Sequence, residues 1–148
     1  MLRFAVVVSR FNQEVTEGLL QGAKNFLLSK ELPLLESDIF RAPGAFEIPL
    51  LAQTLAKTKR YAGVICLGCV IKGDTAHFEF ISLGATLGIL QSSLATEVPI
   101  TFGVLTTYTE EQALLRSKNN TENKGWEAAA ACFEAVETLR QIQNEKRG

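Results

Sequence analysis

The stretch Tyr61-Ala62-Gly63-Val64-Ile65-Cys66-Leu67-Gly68-Cys69-Val70-Ile71 decides the fold of this 148-residue chain. Its apolar residues do not alternate with polar ones, so the run predicts a strand that is buried on both faces. A polar segment follows at once, Lys72-Gly73-Asp74-Thr75-Ala76-His77, and a helical pattern starts at Phe78. Open α/β sheets bind their ligands where a buried parallel strand leads through such a turn into a helix.

Strand and helix patterns alternate on both sides of this run. We predict strands at residues 4–9, 36–42, 62–71 and 100–106, and helices at residues 14–29, 48–58, 78–96, 109–116 and 126–143, with a polar linker at 117–124. This order predicts an α/β fold, with a parallel sheet of about four strands and helices on both faces. The length predicts one domain, residues 1–148.

Composition and charge argue against several classes of protein. Fifteen Lys and Arg residues nearly balance sixteen Asp and Glu residues, and no basic stripe is present, which disfavours nucleic acid and anionic membranes as partners. We expect no segment long enough to span a membrane. Residues 1–9 are apolar but lack a cleavage pattern, so they predict a first strand rather than a signal peptide, and we expect a cytoplasmic protein.

The three cysteines predict neither a metal site nor a disulfide. Cys66 and Cys69 are three residues apart on the predicted third strand, so their side chains point to opposite faces of the sheet. With Cys132 elsewhere and a single histidine in the chain, a zinc site lacks ligands. We therefore interpret all three as structural cysteines of a reduced compartment.

Side chains suited to ligand binding follow the predicted strands. Phe11 follows the first strand, Glu47 the second and His77 the third, so they meet at one rim of a parallel sheet. Aromatic faces and a helix N-terminus suit a flat heterocycle and a phosphate. His77 suits proton transfer near neutral pH, although a histidine without a chemical role at a helix start is an alternative.

The predicted outer helices are unusually apolar, above all residues 78–96 and 126–143. Large apolar surfaces on an outer layer predict burial against other subunits, so we expect an oligomer. The alternative is that these helices only cover the sheet.

Four stretches of the sequence are Ser9-Arg10-Phe11-Asn12, Pro43-Gly44-Ala45-Phe46-Glu47-Ile48-Pro49, Val70-Ile71-Lys72-Gly73-Asp74-Thr75-Ala76-His77-Phe78-Glu79 and Pro99-Ile100-Thr101-Phe102-Gly103-Val104-Leu105-Thr106-Thr107. A closing segment runs from Glu111-Gln112-Ala113 through Arg116 to Asn123-Lys124-Gly125. Together they resemble the lumazine synthase family, in the same order as in the family and over nearly the whole chain. The resemblance implies a flavodoxin-like three-layer α/β/α sandwich with a four-stranded parallel sheet. It also implies a transferase, without a cofactor, that condenses 5-amino-6-ribitylaminouracil with 3,4-dihydroxy-2-butanone 4-phosphate in riboflavin biosynthesis.

The resemblance also implies roles for residues that would bind the pyrimidine substrate. Phe11 would stack on the ring, and Glu47 would accept hydrogen bonds from the ribityl hydroxyls. Backbone groups of Cys69, Val70 and Ile71 would hold the ring edge. The remaining residues implied at this site are Ala45, Phe46, Phe102 and Lys124.

For the phosphate of the second substrate, the resemblance implies Asp74 and Thr75 at a helix N-terminus, with Arg116 as a bidentate clamp. His77 would transfer protons. Phe102 and Arg116 would come from an adjacent subunit, because the family builds its sites between subunits.

The resemblance implies a homo-oligomer, either a pentamer or an icosahedral shell of pentamers, and leaves riboflavin synthase open as a partner. In the family a further strand precedes the first core strand and pairs with a neighbouring subunit, whereas in this sequence the predicted first strand begins at residue 4. Two other classes compete with the enzyme: a non-catalytic binder of flavin or a related ribityl compound, and a purely structural shell protein.

Overall fold

The computed structural model describes residues 2–147, with four strands and five α-helices joined mostly by short turns. Their bounds are β1 Phe4–Ser9, α1 Gln13–Ser29, β2 Ile39–Ala42, α2 Ile48–Lys57, β3 Gly63–Ile71, α3 His77–Thr96, β4 Ile100–Thr107, α4 Glu110–Leu115 and α5 Lys124–Arg147. Single 3-10 turns at Glu36–Asp38 and Ala45–Glu47 precede β2 and α2.

The four strands form one parallel sheet in the order β2-β1-β3-β4. From β1 the chain crosses to β2 on one side, and from β3 it crosses to β4 on the other side. The connections therefore diverge between β1 and β3, which leaves a crevice at the carboxyl ends of these two strands. The predicted α/β fold with helices on both faces of a parallel sheet is confirmed.

Alternate residues of β1 build the two halves of the core. Phe4, Val6 and Val8 pack with buried residues of α1 and α5, whereas Ala5 and Val7 pack with residues of α2 and α3. β3 is buried from Gly63 to Cys69 because both of its faces carry helices, as the unbroken apolar run predicted. Cys66 and Cys69 lie in opposite halves of the core, so the prediction that they cannot meet is confirmed.

The predicted second strand was too long at its start. Residues Glu36–Asp38 form a 3-10 turn, and the strand begins only at Ile39. The cause is Asp38, a buried carboxylate that accepts a hydrogen bond from the Tyr61 hydroxyl at 3.0 Å and forms an ion pair with Arg3. These partners turn the Asp38 side chain inward and fix the turn.

The predicted linker at 117–124 also ended one residue too late, because α5 begins at Lys124 and not at Trp126. The Asn123 side-chain oxygen accepts hydrogen bonds from the N–H groups of Gly125 at 2.8 Å and Trp126 at 3.0 Å, so it caps the helix. The helix also extends past the predicted end at residue 143, through Arg147.

The expectation that no segment is long enough to span a membrane was wrong, because α3 is long and apolar enough when only length and composition are considered. Among the described residues, α3 has 20 residues with a mean hydropathy of 1.2, and a small part of it is buried. Its buried residues are Ala85, Ile89 and Ser92, which face the sheet and α2. The opposite face of α3 therefore exposes apolar side chains.

Candidate active site

A cavity of about 420 Å³ occupies the crevice at the carboxyl ends of β1 and β3. It has the size of a small-molecule site. The structure brings together nine of the thirteen site residues that were predicted from sequence. These are Phe11, Ala45, Phe46, Glu47, Cys69, Val70, Ile71, Thr75 and His77.

The cavity has a buried floor and exposed walls. Ala45 and Cys69 are buried, while the rings of Phe11 and Phe46 are 70% and 59% exposed. An exposed aromatic ring at a cavity mouth can stack on a flat ligand with little rearrangement of the core. The floor is therefore set by packing, and the walls are free to contact a ligand.

Asn12 fixes the side of the cavity that carries Phe11. Its backbone is left-handed, with φ 59° and ψ 53°, a conformation that asparagine tolerates better than most residues. Its side-chain N–H donates to the Cys69 carbonyl at 3.1 Å, and its own carbonyl accepts from Val15 and Thr16 at the start of α1. Asn12 thus ties β1 to β3, a role that the sequence analysis missed.

Two glycines of α3 allow the opposite wall to come close. A Cβ at Gly84 would stand 2.8 Å from the ring of Phe46, and a Cβ at Gly88 would stand 2.7 Å from Pro49. The close approach seats the Phe46 ring on α3 and so places the Ala45–Glu47 turn beside the helix that begins at His77.

The thiol of Cys69 is unsuited to nucleophilic chemistry near neutral pH. Burial raises the pKa of Cys69 to about 11, so the thiol stays protonated. Its contribution to the cavity is therefore a small apolar surface and backbone groups.

The segment that carries the predicted phosphate and proton-transfer residues is exposed. We call residues 72–76 the β3–α3 loop, and all of them, like His77, are exposed to solvent. The His77 N–H donates to the Thr75 hydroxyl at 3.4 Å, a long bond at the start of α3. Asp74, also predicted for the site, lies in this loop but outside the residues that line the cavity.

Three predicted site residues line a second cavity, of about 450 Å³, on the other side of β4. They are Phe102, Arg116 and Lys124. The Lys124 N–H donates to the Arg116 carbonyl at 2.8 Å, which joins the end of α4 to the start of α5. The Lys124 ammonium forms an ion pair with Glu127 at 3.2 Å. Within one chain, these residues and the first cavity form separate sites.

We call residues 117–123 the α4–α5 connection. Its end residues Ser117 and Asn123 are buried against α1, and residues 118–122 between them are exposed. Asn123 is buried, and its side-chain N–H groups donate to the carbonyls of Gly18 at 3.1 Å and Lys118 at 2.8 Å. The side-chain oxygen of Asn123 accepts the two capping bonds from α5, so both the nitrogen and the oxygen of its side-chain amide are hydrogen-bonded. The sequence analysis missed this role, although an asparagine directly before a helical pattern is a recognisable cap signal.

The described residues contain no group of three or more His, Cys, Asp or Glu side chains that could hold a metal ion. The first cavity offers aromatic and polar side chains, and the second offers the cations of Arg116 and Lys124. A parallel sheet with such a crevice is typical of the α/β proteins that bind small molecules at the carboxyl ends of their strands.

Comparisons with known proteins identify the family within that class. The sequence model described as 6,7-dimethyl-8-ribityllumazine synthase matches residues 1–140. The 6,7-dimethyl-8-ribityllumazine synthase 1 of Caulobacter vibrioides is 63% identical over 141 residues, which cover 95% of this chain and 92% of that protein. The 6,7-dimethyl-8-ribityllumazine synthases of Syntrophus aciditrophicus and Deinococcus radiodurans are 48% and 46% identical, and each match covers 92% of the relative and 95% or 96% of this chain.

The chain therefore belongs to the 6,7-dimethyl-8-ribityllumazine synthase family. The resemblance stated from the motifs is confirmed, as is the expectation of a transferase of riboflavin biosynthesis with small-molecule substrates.

Proposed function

We propose that this protein condenses 5-amino-6-ribitylaminouracil with 3,4-dihydroxy-2-butanone 4-phosphate to form 6,7-dimethyl-8-ribityllumazine. The observation that carries the proposal is the cavity at the β1–β3 crevice, which is lined by Phe11, Glu47, Thr75 and His77 in a chain of this family. Phe11 stacks on the pyrimidine, Glu47 accepts from the ribityl hydroxyls, and Ala45, Phe46 and the 69–71 backbone enclose the ring.

The reaction makes demands that these groups can meet without a cofactor. The pyrimidine amine adds to the substrate carbonyl and loses water to give an imine, phosphate is eliminated, and ring closure releases a second water. Each step moves protons, and His77 lies at the cavity wall where it can take and return them. Holding both substrates in register lowers the barrier further. Asp74 and Thr75 bind the phosphate at the start of α3.

The second cavity supplies the other half of a neighbouring site. Arg116 and Phe102 line a cavity that is separate from the one with His77 in the same chain. We propose that in the assembled protein each active site combines the first cavity of one subunit with Phe102, Arg116 and Lys124 of the next. Arg116 then clamps the phosphate with its planar guanidinium.

The exposed face of α3 supports assembly from copies of this chain. The large apolar residues of this face are spaced alternately by three and four positions along the sequence, as in the seam between packed helices. They are Phe80, Leu83, Leu87, Leu90 and Leu94, each at least 46% exposed. We propose that this face packs against neighbouring subunits in a ring rather than against a membrane, and that the ring is a pentamer, alone or within a shell.

The same proposal places the protein in the cytoplasm, where its three free, buried cysteines remain reduced. We also propose riboflavin synthase, which acts on the lumazine product, as a partner enzyme.

The test is a mixing assay that follows the fluorescent lumazine against a protein-free blank. We expect product well above the spontaneous rate, a kcat reduced by about 10²-fold in His77→Ala and a kcat/KM reduced by about 10³-fold in Arg116→Ala. Arg140→Ala, which removes an exposed arginine from α5, serves as the matched control and should keep wild-type rates. A wild-type rate equal to the blank would instead favour a binder of ribityl compounds.

A second arm of the assay tests whether sites are shared between subunits. Arg116→Ala and Glu47→Gln chains are co-expressed in equal amounts, after light scattering has given the mass of the wild-type oligomer. In mixed rings about one site in four combines two intact halves, so activity should return to roughly that fraction. No return of activity, with mixed rings verified by mass spectrometry, would mean that each site lies within one chain.

A further inference from the structure

Tyr108 contacts both ends of the segment that carries the predicted phosphate and proton-transfer groups. Its ring centroid lies 6.1 Å from that of Phe78, in a tilted arrangement, and 5.6 Å from the Lys72 ammonium. Lys72 begins the β3–α3 loop, and Phe78 follows it in the first turn of α3. Aromatic and cation–π contacts of this kind are favourable even where they are exposed.

The β3–α3 loop has little other support between these two contacts. At its start, the Lys72 N–H donates to the Thr107 carbonyl at 2.9 Å. At its end, the His77 N–H makes the long bond to Thr75, and the Ala76 carbonyl accepts from the N–H groups of Glu79 and Phe80 in the first turn of α3. A Cβ at Gly73 would have no atom within 4 Å. A loop with exposed residues and few packing contacts opens at low free energy.

Tyr108 itself stands on a well-defined element. Its N–H donates to the Gln112 side-chain oxygen at 2.9 Å, and Gln112 forms a reciprocal capping box with Thr109 at the start of α4. The backbone of Tyr108 is thus tied to α4, while its ring is 68% exposed and reaches across to the loop.

We propose that Tyr108 is a positioning residue that holds the β3–α3 loop, and with it Asp74, Thr75 and His77, in the geometry used for phosphate binding and proton transfer. The ring acts through Lys72 and Phe78, and its hydroxyl has no part in this role. The kinetic half of the proposal rests on the proposed function, whereas the effect on the loop does not.

The test compares Tyr108→Ala, which removes the ring, with Tyr108→Phe, which keeps the ring and removes the hydroxyl. Hydrogen–deuterium exchange is measured in the assembled protein for residues 72–80, which include the bonded N–H groups of Lys72, Glu79 and Phe80. Binding of inorganic phosphate is measured by titration calorimetry. KM is then measured for each substrate. Because the ring is exposed, the fold should survive both changes, which a thermal unfolding curve verifies.

In Tyr108→Ala we expect the bonded amides of residues 72–80 to exchange about fivefold faster. The phosphate Kd and the KM of the butanone phosphate should rise by about three- to tenfold, with the KM of the pyrimidine unchanged. Tyr108→Phe should stay within about twofold of wild type in every readout, as a rescue by the conservative residue.

Unchanged exchange in Tyr108→Ala would overturn the proposal, since the loop would then hold its geometry without the ring. Equal losses in Tyr108→Ala and Tyr108→Phe would overturn it too, because they would assign the effect to the hydroxyl and not to the ring. A wild-type protein without synthase activity would refute the proposed function alone, and the exchange data would still decide whether Tyr108 holds the loop.

Discussion

The β3–α3 loop and the α4–α5 connection are alike in sequence and different in structure. Both are short polar segments, and both adjoin predicted site residues, His77 in one case and Arg116 and Lys124 in the other. The loop is exposed along its whole length, and the Gly73 Cβ position is open. The connection is fastened to α1 by the buried Asn123 and by close backbone approaches.

This difference assigns different tasks to the two halves of the proposed active site. Groups that must accept and return protons can sit on a segment that adjusts, whereas a cation that clamps a phosphate gains from a fixed position. Elements of low local stability are typical of ligand-binding loops. We therefore expect the connection to provide the rigid half of the proposed site and the loop to provide the adaptable half.

The largest expected effect comes from adding a methyl group beside the connection. In Gly125→Ala the new Cβ would stand 1.9 Å from the Leu19 carbonyl oxygen and 2.6 Å from the Leu19 carbonyl carbon, both of which belong to the backbone of α1. Backbone atoms inside a helix cannot move aside, so α1 and α5 must separate. We expect a loss of about 3 kcal/mol in the free energy of unfolding, measured by urea denaturation.

Gly73→Ala is the matched change in the loop. It adds the same methyl group where no atom lies within 4 Å, and the free energy of unfolding should change by less than about 0.5 kcal/mol. Equal losses in the two alanine variants would contradict the difference between the regions, because the loop would then be as tightly packed as the α1–α5 contact that adjoins the connection.

A smaller loss is expected when Asn123 is replaced. Asn123→Ala removes the cap of α5 and leaves the Gly18 carbonyl without its donor, so we expect a loss of about 2 kcal/mol. Asn119→Ala, at an exposed position of the same connection, is the control and should be neutral. A neutral Asn123→Ala, in the same denaturation assay, would mean that the glycine contacts alone fix the connection.

The parts of the fold that sequence predicted best are those with a strong pattern. β3 followed from an unbroken apolar run, and the parallel sheet with helices on both faces followed from alternating strands and helices. The errors arose where one side chain overrides a pattern. Asp38 bonds to Tyr61 across 23 residues and turns the predicted start of β2 into a 3-10 turn, and Asn123 starts α5 early. The Asp38–Tyr61 bond is long-range and leaves no periodic trace in the sequence, whereas the Asn123 cap is a local signal that the sequence analysis missed.

The residues of the candidate site likewise divide into those that could be predicted from the sequence and those that could not. Chemistry-bearing residues such as Phe11, Glu47 and His77 could be named in advance because each follows a strand whose carboxyl end faces the crevice. Asn12 and Tyr108 could not, since their contacts depend on a left-handed backbone and on the distance between two loops. Supporting residues act through geometry, and only the fold supplies it.

The smallest effect on stability is expected at Thr75, and it bears most directly on the comparison. The Thr75 hydroxyl accepts one long bond, from the His77 N–H at 3.4 Å, and the side chain is exposed. Thr75→Ala should therefore change the free energy of unfolding by less than about 0.5 kcal/mol. Loss of one hydrogen bond to the phosphate should nevertheless weaken inorganic phosphate binding by about five- to tenfold.

Thr75→Ser retains the hydroxyl and should bind phosphate as the wild type does, which separates the hydroxyl from the methyl group. A stability loss in Thr75→Ala as large as that in Asn123→Ala would mean that the loop is a structural element like the connection. If phosphate affinity and stability instead respond separately, as expected, the loop contributes to binding with almost no part in the fold. An adaptable half of an active site requires that separation, because a residue that also held the fold together could not move with the substrate.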